Sequence, residues 1–470
     1  MAARRDQLQS YQFLVQRVLS AFVMRETDPP QSPLRRGIGA AFAGAMIAII
    51  IAAGFAVFGL ITKIGSGKWQ VEGAVVVEKE TGAAFLYHES ILHPMINYTS
   101  AVLASDQSPP KVFRESRRTL SRSRRGVMLG IPNAPSSLPD AKNTVGAPWT
   151  LCAVPGADVA GRATTSTSLI LGTALSGRRI GGDDGLLVRD PANNATHLVW
   201  HSHRYEIREQ NTVVSLFGAQ TAPTLAAAGW LSGLPIGAPI TPIKVDGAGQ
   251  PSAVSGRTVG ELMVAQTATG PQFYVVLADG LAAITELQKA IYTGQVNAAP
   301  VTISVFDANN APKSHRLDLP AGNEPPPGRP PKLVTAAPTD AACAEFRDAR
   351  GQPALSVVSG ARELTAGIPT AGALPSGTSL ADRIWVPAGK VALVRAMASS
   401  TATSGAATIV TDLGIRYPVP NDQALKALAL PSSKVVDMPA GLVNRIPPGP
   451  TLDPDAARRP VDQQVRQQSG

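Results

Sequence analysis

The sequence is poor in three things. It has one long apolar run and no second, two cysteines (Cys152 and Cys343), and no set of catalytic or metal-binding residues at a working spacing. A single apolar run means the chain crosses a membrane once. Two cysteines leave room for one disulfide at most. The missing constellations speak against an enzyme, and each near miss fails for a physical reason. His88-Glu89-Ser90-Ile91-Leu92-His93 is one residue longer than the zinc-protease pattern. On a helix its histidines would point about 140° apart, and the segment reads as strands. His201-Ser202-His203 reads as two surface histidines flanking a turn rather than a metal site. Gly65-Ser66-Gly67-Lys68 resembles the end of a phosphate-binding loop, but Thr62 and Trp69 stand where Gly and Ser or Thr are required. Asp183-Asp184 beside glycine reads as a turn rather than a carboxylate pair. No catalytic residue, metal site or cofactor is expected.

What is present begins with the run Gly37–Thr62, free of charge and bounded by Arg35, Arg36 and Lys63. About 20 apolar residues span a bilayer core, so the run is long enough with some tilt. A cleaved signal peptide has a shorter core nearer the N-terminus, whereas 36 residues precede this one. The tail carries Arg4, Arg5, Arg17, Arg25, Arg35 and Arg36 against three acids, while Lys63, Lys68 and Lys79 beyond the span are matched by Glu72, Glu78 and Glu80. The positive excess places the tail in the cytoplasm and the large remainder outside the plasma membrane. The formal charge of +9 then points an exported basic domain at anionic lipid, cell-wall polymer or acidic proteins, and not at nucleic acid. Both cysteines lie in that exported part, where oxidising conditions favour pairing. A bond would close a loop of about 190 residues, worth roughly 5 kcal/mol in the chain-entropy model. The alternative is two buried free thiols.

In the tail, Leu8, Tyr11, Leu14, Val15, Val18, Leu19, Phe22 and Val23 recur at helical spacing with Gln, Arg and Ser between them. This predicts an amphipathic helix whose stripe needs lipid headgroups or a partner. Pro29, Pro30 and Pro33 hinge it to the span. Ala40, Gly44, Ala48, Ala52 and Ala56 repeat every fourth residue, the spacing of close helix packing in bilayers. So alanine-rich a segment also yields such a stripe by chance.

Beyond the span, a pattern of three short strands and a helix recurs near 74–104, 185–218, 260–294 and 391–430. Val, Ile, Phe, Tyr and Trp fill the strands, and Gly, Asp and Asn punctuate the turns. Asn97 and Asn421 suit helix N-caps. The stretches 145–180 and 296–350, including Trp149–Val154 and Val301–Phe306, are expected to form a shared core. The predicted fold is one transmembrane helix plus a β-rich α+β outer domain, with four βββα repeats around a central core. Glu324–Pro331 reads as a stiff connector, and 451–470 as a flexible tail, with Gln463–Gly470 disordered. The densest charge is Arg114, Arg117, Arg118, Arg122, Arg124 and Arg125, with Lys111 nearby. It reads as a solvated face or as a docking surface for an acidic polymer or protein.

Several segments in order resemble the EccB family of type VII (ESX) secretion systems. They are Ser10–Arg17, the stretch Gly82–Leu103 around Leu92-His93-Pro94-Met95-Ile96-Asn97-Tyr98, Arg125–Pro135, Trp149–Cys152, Gly441–Val443 and Ile446–Pro450. The resemblance implies an actinobacterial membrane component that assembles with EccC, EccD and EccE, with a mycosin protease and with copies of itself. It implies an elongated outer domain of four repeats, related to a cell-wall-binding phage lysin subunit, around a core bonded through Cys152 and Cys343. The ATPase label that some of the family carry finds no phosphate-binding loop here.

Overall fold

The computed structural model describes residues 2–25, 33–62, 67–105, 107, 109–319, 322 and 324–462. The chain divides into two compact units, Met1–Val71 and Glu72–Gly470.

The first unit contains two helices, α1 (Ala2–Met24) and α2 (Pro33–Thr62). Pro33 opens α2 at the one helical position where a missing N–H costs nothing. Pro29 and Pro30, expected to form the hinge, lie outside the described residues.

The second unit holds four modules with one connectivity. In module 1, strands Ala74–Glu78, Ala84–His88 and Ile91–Pro94 pair antiparallel. Helix Tyr98–Ala104 follows, and Val112–Glu115 returns parallel to the first strand. Module 2 repeats this with Asp184–Arg189, Thr196–Trp200, His203–Ile207, helix Gln210–Phe217 and Thr224–Leu225. Module 3 does so with Leu262–Thr267, Gly270–Leu277, Gly280–Ile284, helix Glu286–Val296 and Val301–Ile303. Module 4 uses Val391–Met397, Gly405–Thr411, Arg416–Val419, helix Asp422–Ala427 and Val436–Pro439. A short second helix closes each one: Arg117–Leu120, Ala228–Leu231, Val305–Asn310 and Ala440–Val443. The unit is therefore βββαβα, longer than the expected βββα. The fourth strand was hidden because a parallel partner is reached through a helix and leaves no hairpin turn to read.

Local chemistry fixes the helix starts. Asn97 Oδ1 accepts from the Ser100 N–H at 2.8 Å, and Asn421 Oδ1 from the Ala424 N–H at 2.9 Å. Thr285 and Gln288 form a reciprocal capping box. The closing hairpins of modules 1 and 2 have two consecutive left-handed residues without glycine, Glu89-Ser90 and His201-Ser202. That geometry suits a two-residue turn and strains a side-chain-bearing backbone.

A seven-stranded central sheet has Trp149–Ala157 and Ala341–Phe346 adjacent and antiparallel. Cys152 and Cys343 are directly opposed and joined, with Cα atoms 4.1 Å apart. One face of this sheet forms a core with modules 2 and 4, through Trp149, Leu151, Val188, Trp230, Val394 and Val410. A second core joins modules 1 and 4 and a third joins modules 2 and 3.

Two expectations are corrected. Val301–Phe306 was assigned to the shared core, but Val301–Ile303 is an edge strand of module 3 and Phe306 is 76% exposed. Its short apolar run reads as a buried strand, yet among the described residues its one ladder partner is the strand Leu262–Thr267. The stretch 451–462, assigned to a flexible tail, is packed: Leu452 and Ala457 are fully buried beside modules 1 and 4, and Pro454–Ala457 is helical. Its Pro, Asp and Arg content masked the two small anchors. Gln463–Gly470 lie outside the described residues.

Candidate interaction surfaces

On α1, Tyr11, Leu14, Val15, Val18 and Phe22 are all exposed, Phe22 to 88%. In an isolated helix such a stripe is uncovered apolar area, each large side chain forgoing about 1.5–3 kcal/mol of burial. On α2, Gly37–Phe58 has a mean hydropathy of 2.5 and none of its most apolar stretch is buried. Ala40, Gly44, Ala48 and Ala52 lie exposed along it. A Cβ built on Gly44 meets nothing within 4 Å, so this helix face is open to close approach.

The basic cluster runs across module 1 from the edge strand Val112–Glu115 to the opposite edge, where Arg125 bridges to Leu92. Arg114 sits on the edge strand and Arg117 and Arg118 on the following helix; Arg122, Arg124 and Arg125 come after, and all six are exposed. Two are fixed locally: Arg117 Nε donates to Glu78 at 2.8 Å, and Arg125 lies 4.4 Å over the Phe85 ring. The hydrogen bond from Arg117 to Glu78, then its charge, holds that guanidinium proton more firmly than usual. The cluster is thus partly neutralised, which sequence spacing could not reveal because Glu78 is 39 residues away.

A groove of about 690 Å³ runs between modules 2 and 3 and the proline-rich connector. Trp200, Phe273, Glu286, Gln288 and Arg329 are among its walls, and Arg329 pairs with Asp183. Sequence reading missed it because Trp200 and Phe273 meet only when two modules pack.

The histidines of the near misses have other partners. His88 pairs with Glu72, and His93 Nδ1 lies 3.2 Å from the Val127 carbonyl. His201 stacks on Trp200 at 3.7 Å with its Nε2 2.9 Å from the Gly182 carbonyl, and His203 Nδ1 is 2.9 Å from the His201 carbonyl. A carboxylate or a backbone carbonyl thus engages one nitrogen of each ring. Among the described residues no cluster of three or more His, Cys, Asp or Glu is placed to hold a metal. Gly65 and Ser66 of the loop-like segment lie outside the described residues.

Module 2 has three buried side-chain atoms without a partner among the described residues, on His197, Arg204 and Tyr205. Burial, then the charge of Arg204, holds His197 below the usual imidazole range. Burial pushes the Tyr205 hydroxyl up to about 12, and among the described residues no partner meets that hydroxyl. Burial also lowers Arg204 and Arg445.

The family model described as "Type VII secretion system ESX-1, transport TM domain B" matches residues 1–465. ESX-3 secretion system ATPase EccB3 of Mycolicibacterium smegmatis is 28% identical over 475 residues, covering 95% of this chain and 89% of that protein. ESX-2 secretion system ATPase EccB2 of Mycobacterium tuberculosis is 29% identical over 493 residues, covering 97% and 94%. Among solved structures, the EccB3 dimer from the ESX-3 core complex superposes with a TM-score of 0.62 at 25% identity, covering 82% of this chain and 100% of that one. A chain of the intact ESX-5 inner membrane complex gives 0.63 at 24% identity, covering 96% and 94%.

Proposed function

The chain belongs to the EccB family of type VII (ESX) secretion membrane components, and we propose that it is a structural subunit, a membrane-held scaffold on the outer side of the secretion complex. One observation carries the reading: the family match runs from residue 1 to residue 465 and so takes in the tail helix, the span and the whole outer domain. In this reading the stripe of α1 and the small-residue face of α2 hold the chain against lipid and against EccC, EccD and EccE. The outer domain meets further copies of the chain and a mycosin protease. The excess of arginine before the span puts the N-terminus in the cytoplasm and the modules outside. The relatives bear the word ATPase in their names. Thr62 and Trp69 argue against nucleotide hydrolysis here, because a phosphate loop needs Gly and Ser or Thr at those places. The motor role falls to EccC.

The test is gentle detergent extraction of tagged chain from its own host, followed by native sizing and identification of what co-purifies. A megadalton assembly containing the motor and its membrane partners is expected, and loss of the chain should abolish secretion. A lone monomer or dimer that persists under milder detergent and crosslinking would overturn the scaffold reading. It would favour a membrane-anchored cell-wall binder instead, which pull-down on purified peptidoglycan would detect.

A further inference from the structure

Two arginines meet behind module 2 with too few partners. Val199 faces the core shared with the central sheet. Arg204 lies opposite it on the neighbouring strand, so its side chain starts toward that same face. Arg445 follows helix Ala440–Val443 and is only 5% exposed. One of its Nη groups donates to Ser232 Oγ at 2.7 Å. Its Nε and other Nη are buried without a partner, as is Nε of Arg204. The segment that carries Ser232 continues into Pro235, whose carbonyl accepts from the Arg204 N–H at 2.9 Å, so one short stretch of chain ties the two arginines to the same place. The two charges are near enough that Arg204 further weakens the proton affinity of Arg445. The carboxylate that acts on Arg204 is Glu206, which is 47% exposed and pairs with Arg208 at 3.4 Å.

A guanidinium cannot shed its proton to escape burial, and its five donors are fixed in a planar fork. Buried cations are tolerated when an anion or full hydrogen bonding compensates them. Among the described residues no carboxylate pairs with Arg445, and the unfilled donors belong to two forks held by the same short segment. Such forks match the geometry of tetrahedral oxyanions. A cleft of about 340 Å³, lined by Arg204, His197, Glu206 and Arg208, gives access from solvent to Arg204.

We propose that Arg204 and Arg445 form a binding site for a small inorganic oxyanion, phosphate or sulfate, where module 2 meets the central core and the segment after helix Ala440–Val443. The bound anion fastens the C-terminal segment to module 2. This site is independent of the secretion role, since it concerns how the outer domain holds itself together.

The full chain, purified in detergent in a gluconate buffer of fixed ionic strength, is titrated with sodium phosphate and separately with sodium sulfate while thermal unfolding is followed. Wild type should show a saturable rise in Tm of about 2–4 °C, with matching heat of binding by calorimetry. Arg445→Met should lose the rise, and Arg204→Met should weaken binding at least tenfold. In gluconate alone, Arg445→Met should fall less far below wild type than it does in phosphate, because it removes an uncompensated charge. If Arg445→Met does not fold, wild type and Arg204→Met decide the matter. A wild-type Tm that ignores both oxyanions at matched ionic strength overturns the site, as does an equal response in wild type and Arg204→Met.

Discussion

Modules 2 and 4 share a connectivity, and both pack into the core of the central sheet, yet they settle their polar groups differently. Module 4 does so mostly locally, with Thr411 Oγ1 its one buried side-chain atom unpaired among the described residues. Asn421 caps its helix, Arg395 Nε donates to Asp437 at 2.8 Å between neighbouring strands, and Gly414 takes the left-handed turn position. Module 2 has no side-chain cap at Glu209, turns through His201-Ser202 with both residues left-handed, and buries His197, Arg204 and Tyr205 with atoms unpaired. The same backbone path therefore does not impose one polar solution. A module that leaves more polar atoms open depends more on what packs or binds beside it.

The widest break removes what both modules lean on. Cys152 and Cys343 link the two central strands, and the bond closes a loop of 191 residues. The double variant Cys152→Ala/Cys343→Ala should lose up to about 5 kcal/mol. Denaturant unfolding of the purified chain should then show a lower midpoint, with modules 2 and 4 losing hydrogen-exchange protection together. If only one loses protection, the two are not coupled through the central sheet.

A smaller break tests rigidity. A Cβ on Gly405 in module 4 would stand 2.3 Å from the Ala396 carbonyl oxygen, and that backbone cannot step aside. A Cβ on Gly185 in module 2 would meet only side-chain atoms of Pro331 and Leu198, at 3.0 and 3.1 Å. Gly405→Ala should cost about 1–3 kcal/mol and Gly185→Ala less, read from the shift in the same unfolding curves. A reversed order would mean that module 4 yields more than its ladder indicates.

The caps sharpen the contrast and also explain what was readable in advance. Asn97 and Asn421 announced their helices because an Asn ahead of a helical run carries its meaning within three residues. The helices α1 and α2 were readable for the same reason, their patterns being local. The fourth strands, the packed 451–462 stretch, the Glu78 partner of Arg117 and the groove at Trp200 and Phe273 all depend on residues brought together from far along the chain. No local pattern encodes them. Module 2 had the least readable helix because Glu209 supplies no cap. Asn421→Ala should cost about 1 kcal/mol. Glu209→Asn, placing a side-chain acceptor near the Thr212 N–H, should gain about 0.5–1 kcal/mol. Both are read as midpoint shifts, and a neutral Glu209→Asn would show that packing alone holds that helix.

The smallest effect follows from His197. Burial, then the nearby charge of Arg204, lowers its pKa in the fold, while Glu206 and Asp190 oppose that shift only partly. The unfolded chain therefore binds the proton first as pH falls. The stability gained by keeping His197 neutral is complete above the ordinary imidazole value of 6.5, and it is lost as pH drops from there toward the lower folded value. Module 4 contains no histidine, and carboxylates held below their usual range, such as Asp340 through its hydrogen bond from Ser359, titrate lower still. Hydrogen exchange between pH 7 and 5, corrected for intrinsic rates, should loosen module 2 and leave module 4 flat. His197→Leu should flatten module 2 as well. If module 2 still loosens in that variant, the acid sensitivity belongs to another group, and the lack of local satisfaction around His197 is not what separates the two modules.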